Sequence, residues 1–339
     1  MKLYAGDDLH SNNNMLVIID EKDRVKFRGR LPNDLPLILA QLAPYKKRIE
    51  AIAVESTFNW YWLVDGLMEA GYNVKLVNTA AVKQYEGMKH KDDEDDARHL
   101  AHLLRLGLLP TGYIYPKGER AVRDLLRKRS HLVRGRTAQI LSLKNLICRN
   151  TGRIMPQDDA RELEDADILR LSSGDEFRAQ AMRSTLAMLR IFDEQIRLLE
   201  RKVLAQAKLK PAFKKLLTVN GIGEILAMTI MYEAGTTDRF AKVGRFASYA
   251  RCVSSSHWSN GKKKGEGNRK NGNKYLAWAF VEAAHYAVRF NERIRRFFQR
   301  KKAKTNGIVA IKAVAHKLAR ACYHMLKDQV PFEEARAFA

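Results

Sequence analysis

Short apolar runs alternate with polar turns over the first third of the chain, and they predict five β-strands. The runs cover residues 2–8, 15–20, 24–28, 49–55 and 72–77. Only short polar turns, at 11–14 and 21–23, separate the first three runs, which favours an antiparallel meander. Segments with helical periodicity are predicted at 33–43, 58–70 and 93–106.

A three-stranded meander followed by alternating helices and strands is the element order of the ribonuclease H-like fold. We therefore predict an α/β domain over residues 1–110. In that fold the first strand, the fourth strand and the last helix bring acidic residues together. Acids at the same places in this chain are therefore candidate site residues.

Four carboxylates occupy those places. Asp8 closes the first predicted strand and Glu55 the fourth, while Asp93 and Asp96 share one face at the start of the last helix. Carboxylates grouped in this way can hold two Mg²⁺ ions for phosphoryl transfer. The acidic run 92–96 is by itself typical of a solvated helix start. Glu55 favours the metal site, because carboxyl ends of strands are where α/β sites are built.

The middle of the chain predicts two long helices, at 120–150 and 177–208, around a turn. Such a pair suggests an antiparallel coiled-coil arm over residues 117–208, used for oligomerisation or to span nucleic acid. A helical linker packed on the first domain is the alternative.

Residues 212–330 form a third, mainly helical unit. Gly221 and Gly223 lie in a Gly-Ile-Gly turn between apolar segments, the pattern of a helix-hairpin-helix whose backbone N–H groups can meet a phosphate. Some turns of this kind serve packing alone.

A glycine-rich basic stretch follows at 257–273, and its cations suit contact with a phosphate backbone. A serine there could act as a nucleophile, but an incidental serine in a DNA-binding loop is the plainer interpretation. Ser254, Ser255 and Ser256 compete with Ser259 for the role. The predicted nucleic-acid contacts of this stretch are Lys262, Lys263, Lys264, Arg269 and Lys270.

The strong positive charge of the chain indicates what kind of partner it binds. The 339 residues have a net charge of +23, and 46% of them are hydrophobic, which excludes a disordered chain. Residues 262–304 carry 14 Lys and Arg against three Glu, and residues 120–149 carry nine against one Asp. Such clusters predict a nucleic-acid partner over a merely soluble basic surface.

Other locations are less consistent with the sequence. No apolar run approaches the roughly 20 residues of a membrane span, and the N-terminus lacks a signal-peptide pattern. The three cysteines have no metal-ligand spacing, so we expect reduced thiols in a cytoplasmic, nucleoid-associated protein of bacterial type.

The chain resembles the DEDD transposases of the IS110 family, closest to the IS1111-type branch. The resemblance covers nearly the whole length and is carried by five segments in order, 4–11, 54–55, 91–98, 219–223 and 259–273. It implies that Asp8, Glu55, Asp93 and Asp96 form a metal-binding tetrad in a RuvC-like domain. Strand alternation puts Asp7 and Asp8 on opposite faces, and alignment with the family favours Asp8.

The resemblance also implies that Ser259 joins covalently to DNA during strand exchange. Here the family's common Ser-Gly pair is Ser259-Asn260-Gly261. It further implies two Mg²⁺ ions, donor and target DNA, a guide RNA from the element, and a dimer or tetramer in which different subunits complete one site.

Two other functions fit parts of the same pattern. A structure-selective nuclease resembling a Holliday-junction resolvase would use the tetrad with an activated water and leave Ser259 idle. An architectural nucleic-acid-binding protein would need only the basic segments and the helix-hairpin-helix. The carboxylates favour an enzyme, and the resemblance favours a recombinase.

Overall fold

The computed structural model describes residues 1–82, 92–253, 256–265 and 271–338. The chain divides into two compact units, Met1–Lys117 and Gly118–Ala339. In the described part of the chain, no helix is both long enough and apolar enough to cross a membrane. All three cysteines are free thiols.

A five-stranded mixed sheet forms the centre of the first unit. Its strands are β1 (Leu3–Leu9), β2 (Asn13–Asp20), β3 (Val25–Pro32), β4 (Ile49–Glu55) and β5 (Val74–Val77), in the spatial order β3-β2-β1-β4-β5. The first three strands pair antiparallel, and β4 pairs parallel with both β1 and β5. Each predicted strand overlaps an observed one, and the predicted meander is confirmed.

Burial explains the strand order. β2 is buried from residue 14 to residue 20, as expected of an inner strand with both faces covered. β3 instead alternates between half-buried and exposed positions, as expected at an edge.

Three helices cover the two faces of this sheet. They are α1 (Leu35–Leu42), α2 (Tyr61–Glu69) and α3 (Asp93–Arg105). On one face, α1 and α2 share a core with Ala5, Ile18 and Val54. On the other face, α3 packs its alanines Ala97 and Ala101 against β2.

The start of α2 differs from the prediction. The helix begins at Tyr61 instead of residue 58, and no side chain caps it. Thr57 does not cap the helix, because it donates its hydroxyl to Asn59 Oδ1 at 2.9 Å. Residues 56–60 therefore form a loop between β4 and α2.

The second unit opens with two long helices, α4 (Lys117–Thr151) and α7 (Glu176–Ala207). Ion pairs join Arg129 to Glu200 and Arg136 to Asp193. The residue numbers of these partners increase along α4 and decrease along α7, so the two helices run antiparallel, as predicted. The short helices α5 (Gln157–Arg161) and α6 (Asp165–Leu171) lie between them in the chain.

The remainder of the second unit is helical around one apolar core, apart from a small hairpin. Its elements are α8 (Pro211–Leu216), α9 (Glu224–Ala234), α10 (Val243–Tyr249), β6 (His257–Ser259), β7 (Lys262–Gly265), α11 (Lys274–Phe290), α12 (Glu292–Lys304), α13 (Gly307–Lys327) and α14 (Glu334–Ala337). α9 is buried from Leu226 to Ala234, so it runs through this core.

Candidate active site

Strand register brings the first two acids side by side. Asp7 of β1 lies opposite Val54 of the parallel strand β4, so Asp8 and Glu55 are the next residues of adjacent strands. A Cβ on Gly6 would lie 2.0 Å from the backbone oxygen of Ala97, which shows that Gly6 faces α3. Because side chains alternate along a strand, Asp8 faces α3 as well, and Asp7 faces the opposite layer.

The first turn of α3 supplies the other two acids. Asp92 caps the helix by accepting from the backbone N–H of Asp95 at 2.9 Å. Asp93 precedes Ala97 by one turn, and Ala97 packs against β2. Asp96 precedes Leu100 by one turn, and Leu100 packs against Ala53 of β4. Asp93 and Asp96 therefore continue the two stripes of α3 that lie on the sheet.

One histidine joins this group. His10 Nε2 lies 3.2 Å from Asp8 Oδ2 and 3.5 Å from Asp93 Oδ2, and no hydrogen-bond partner satisfies it among the described residues. One donor atom from each of Asp8, His10 and Asp93 lies within 4.8 Å of the others, a grouping that could hold a metal ion.

Sequence reasoning missed His10 as a site residue. The available signal was its position two residues after Asp8, on the same side of an extended chain. The side chains of Asn33 and Asn59 donate to its backbone oxygen at 3.1 and 3.0 Å. These bonds hold the end of β1 in place.

Two arginines of β3 hold the start of α3. Arg30 donates to Asp93 Oδ2 at 2.6 Å, and Arg28 donates to Glu94 Oε1 at 2.8 Å. The hydrogen bond from Arg30 lowers the pKa of Asp93 against the opposing effect of burial, and the charges of His10 and Arg30 add to the lowering. Asp93 is therefore ionised at neutral pH.

Asp7 has the opposite environment. Its side chain is buried, and neither carboxyl oxygen has a hydrogen-bond partner among the described residues. Burial raises its pKa well above the ordinary value, and the neighbouring charge of Asp8 raises it further. Asp8, on the face toward α3, is the acid of this strand that lies beside His10 and groups with Asp93.

The predicted serine lies on a hairpin, where the sequence predicted a loop. Ser259 pairs with Lys262 across the turn residues Asn260 and Gly261. Both turn residues have positive φ, 49° and 68°, as in a type I′ turn, for which Asn-Gly is the preferred pair. Ser259 is exposed at the last position of β6.

Cations flank this serine. Lys262, Lys263 and Lys264 form β7 and are exposed. Arg269 and Lys270 lie outside the described residues, as do Ser254 and Ser255. The hairpin therefore carries an exposed serine directly opposite Lys262, with Lys263 and Lys264 next along β7.

A buried polar network anchors the chain downstream of the hairpin. Asn273 caps α11 and donates to Glu233 Oε2 at 2.7 Å. Glu233, 1% exposed, also receives two hydrogen bonds from Arg127, at 2.7 and 2.8 Å. Arg251 donates to the backbone oxygens of Asn271 and Gly272. The C-terminal end of the glycine-rich stretch 257–273 is therefore fixed to α4 through Arg127 and to α9 through Glu233.

The two glycines of the predicted helix-hairpin-helix differ. Gly221 has φ +89°, and a Cβ there would lie 2.4 Å from the backbone oxygen of Ala283 in α11. Gly223 precedes the first residue of α9, and a Cβ there would meet nothing within 4 Å. Gly221 is thus required for packing, whereas Gly223 leaves the start of α9 open.

Two family models match the chain. Residues 5–149 match the DEDD model of the IS110 family, described as "Transposase". Residues 213–299 match the model described as "Transposase IS116/IS110/IS902 family". The first match contains the four acids and His10, and the second contains both glycines and Ser259.

Two curated proteins are similar over most of the chain. A probable family 20 transposase from Pseudomonas aeruginosa is 26% identical over 293 residues, 82% of this chain and 84% of the relative. The transposase for insertion sequence element IS1111A from Coxiella burnetii is 23% identical over 241 residues, 68% of this chain and 63% of the relative.

Proposed function

The chain belongs to the IS110 family of DNA transposases, and we propose that it excises and inserts an insertion sequence by exchanging DNA strands. The main support for this proposal is the group of acidic residues at the carboxyl ends of β1 and β4. Asp8 and Glu55 lie at the carboxyl ends of adjacent parallel strands, and Asp93 and Asp96 lie on the helix that covers them.

The first unit is, on this proposal, a ribonuclease H-like domain of RuvC type. Its meander β1-β2-β3, with β4 and β5 added parallel beyond β1, supports the assignment. So does the position of the acids, which belong to the first strand, the fourth strand and the last helix.

The donor set fits divalent metal. Hard cations such as Mg²⁺ take carboxylate oxygens, and the four acids supply them. The unsatisfied Nε2 of His10, beside Asp8 and Asp93, adds a site for a ligand or for a metal-bound water. Two bound Mg²⁺ ions would polarise the scissile phosphate and make an attacking hydroxyl more acidic.

The protein's own groups prepare this site. Asp8, Glu55, Asp93 and Asp96 would hold the metal, and the hydrogen bond from Arg30 lowers the pKa of Asp93. Asn33 and Asn59 fix the His10 backbone and so the end of the strand that carries Asp8. Pre-organisation of this kind lowers the cost of assembling ligands around an ion.

Ser259 is the proposed nucleophile. Its Oγ forms a bond to phosphorus as the bond to the leaving strand's oxygen breaks, and its proton passes to a neighbouring base. The phosphoserine conserves the energy of the broken bond, which a recombinase needs in order to rejoin strands. Exposure of Ser259 beside Lys262 supports this role, since the ammonium groups would hold the DNA phosphates.

The helix pair α4 and α7 is the proposed oligomerisation arm within residues 117–208. Met188, Ile191 and Leu198 of α7 are 44%, 53% and 46% exposed. Their spacing of three and seven residues is that of a heptad seam. A dimer or tetramer would let the acids of one subunit act with Ser259 of another, and a guide RNA would occupy part of the basic surface.

A covalent-adduct assay tests the proposal. The full-length protein is mixed with donor DNA, target DNA, the transcript of its element's non-coding end and Mg²⁺, and the products are separated on a denaturing gel. We expect a DNA-linked protein band from the wild type and from Ser256→Ala, and none from Ser259→Ala. Glu55→Gln and Asp93→Asn should give neither adduct nor cleavage.

Two other outcomes point elsewhere. Cleavage without an adduct in every lane, lost only on carboxylate substitution, indicates a Holliday-junction-type nuclease in which Ser259 is idle. Recombination that survives both carboxylate substitutions in cells would contradict the metal site and favour an architectural role.

A further inference from the structure

Phe58 is an exposed aromatic ring in the loop that follows Glu55. Its side chain is 84% exposed, while Trp60, two residues later, is only 9% exposed and packs in the core beneath α2. The loop thus turns one aromatic side chain into the protein and the other out to solvent, three residues from a proposed metal ligand.

Hydrogen bonds fix this loop to the acidic group. Thr57 donates to Asn59 Oδ1 at 2.9 Å, and Asn59 Nδ2 donates to the backbone oxygen of His10 at 3.0 Å. His10 Nε2 in turn lies 3.2 Å from Asp8 Oδ2. Asn59, which follows Phe58, is therefore bonded to the chain just beyond Asp8, and Thr57, which precedes Phe58, is bonded to Asn59.

Single exposed apolar residues are common, so exposure alone assigns no role. The loop around Phe58, however, is hydrogen-bonded to the backbone of His10, whose ring lies beside acids suited to a scissile phosphate. Nucleobases flank that phosphate on the strand, and exposed aromatic rings bind unpaired bases by stacking. Arg30 at the same group adds positive charge, which favours a nucleic-acid strand over an apolar protein surface.

We propose that Phe58 stacks on a nucleobase next to the scissile phosphate and holds that base out of its pair. This inference rests on the proposed function, because it takes the acids as the cleavage site. Phe58 is then a positioning residue: it contacts the DNA base, sets the register of the strand and takes no part in bond breaking.

A double-mutant cycle between protein and DNA tests the contact. Full-length wild type, Phe58→Ala and Phe58→Tyr are titrated, in EDTA and in Mg²⁺, with labelled DNA that joins the two ends of the element. The DNA is intact or has a single abasic site moved through the positions that flank the cleavage point. The element transcript is present throughout.

At one position we expect Phe58→Ala to weaken binding of intact DNA by about 5- to 150-fold, the range expected for one stacked base. On DNA that is abasic at that position, wild type and Phe58→Ala should bind alike. Phe58→Tyr should retain binding, because it retains the ring. The fluorescent base 2-aminopurine at the same position should be quenched by the wild type and by Phe58→Tyr, but not by Phe58→Ala.

Met68→Ala is the matched control, since Met68 is 48% exposed near the other end of α2. It should bind every DNA as the wild type does. Equal binding by Phe58→Ala and wild type, with equal losses at every abasic position, would overturn the inference while leaving cleavage intact. Failure of the proposed function is distinct: Glu55→Gln would then cleave as the wild type does.

Discussion

Arg30 donates its 2.6 Å hydrogen bond to Oδ2 of Asp93, the same oxygen that lies 3.5 Å from His10 Nε2. The guanidinium therefore shares the oxygen that faces the proposed metal position. Its hydrogen bond lowers the pKa of Asp93, but the guanidinium also occupies a place where a cation would contact that oxygen. Metal binding and the Arg30 contact thus compete for one carboxylate.

We expect Arg30→Gln to lower the Mg²⁺ concentration needed for half-maximal binding by several-fold at low salt. The glutamine removes a positive charge next to the incoming cation, and the effect should shrink as salt screens it, over a Debye length of about 10 Å at 0.1 M. Calorimetric titration with Mg²⁺ or Mn²⁺ measures the affinity.

Arg28→Gln is the control for this prediction. Arg28 occupies the same face of β3 two residues earlier, and it pairs with Glu94 instead of a tetrad acid. It should leave Mg²⁺ affinity unchanged. If Arg30→Gln instead weakens Mg²⁺ binding, the arginine orients Asp93 more than it competes with metal.

Gly6 sets the distance between β1 and α3. In Gly6→Ala the new methyl carbon would lie 2.0 Å from the Ala97 backbone oxygen and 2.8 Å from the Ala101 backbone nitrogen. Backbone cannot move aside cheaply, so we expect a loss of stability above about 3 kcal/mol, the upper end of ordinary overpacking. Any folded fraction should bind Mg²⁺ weakly, because α3 carries Asp93 away from Asp8. Thermal unfolding and metal titration measure the two effects.

Gly112→Ala is the matched substitution. A Cβ there would lie 3.6 Å from its nearest neighbour, which is ordinary contact distance. It should retain both the melting temperature and Mg²⁺ affinity, and equal losses in the two variants would contradict a specific role for Gly6.

Most of the sheet was predictable because its strands, apart from the edge strand β3, contain short apolar runs bounded by polar turns. Asp8 and Glu55 were predictable for the same reason, since each ends a run. His10 was not, because its part in the site depends on where the chain turns after β1 and on the amides of Asn33 and Asn59, which come from distant positions.

Two further features differ from the sequence-based prediction: the hairpin around Ser259 and the first residue of α2. The hairpin around Ser259 has a local signature, the Asn260-Gly261 pair, but the lysines and glycines that follow this pair suggested a loop. The late start of α2 depends on tertiary contacts: Thr57 and Asn59 use their side chains to hold the loop to β1 instead of capping the helix.

The glycines before α9 predict unequal effects of substitution. Gly221→Ala should destabilise the second unit strongly, because alanine is strained at φ +89° and its Cβ would meet the backbone of α11. Gly223→Ala should fold normally, since its Cβ enters open space. Circular dichroism melting compares the two. If Gly223→Ala, while folded, binds DNA more weakly than the wild type, the start of α9 is a phosphate contact; if it binds equally, this turn serves packing.

Asp193 predicts a pH dependence for the long helix pair. Burial opposes its ionisation, but hydrogen bonds from Arg161 and Arg136, at 2.7 and 2.6 Å, outweigh burial and lower its pKa. The pKa of an aspartate in the unfolded chain is about 3.9. The stabilisation is therefore complete above that pH and is lost as pH falls through the lower pKa of the folded state.

We accordingly expect Asp193→Asn to reduce stability at pH 7 by about 1.5–3 kcal/mol, the range for hydrogen bonds to charged groups. The gap between variant and wild type should stay constant from pH 7 to about pH 5 and narrow below about pH 4, as the wild-type carboxylate is protonated. Urea unfolding across this range, with hydrogen exchange of α4 and α7, measures it. Glu176→Gln removes an exposed pair with Arg183 on the same helix and should change little at any pH. A gap that is independent of pH would mean that Asp193 contributes by its shape and not by its charge.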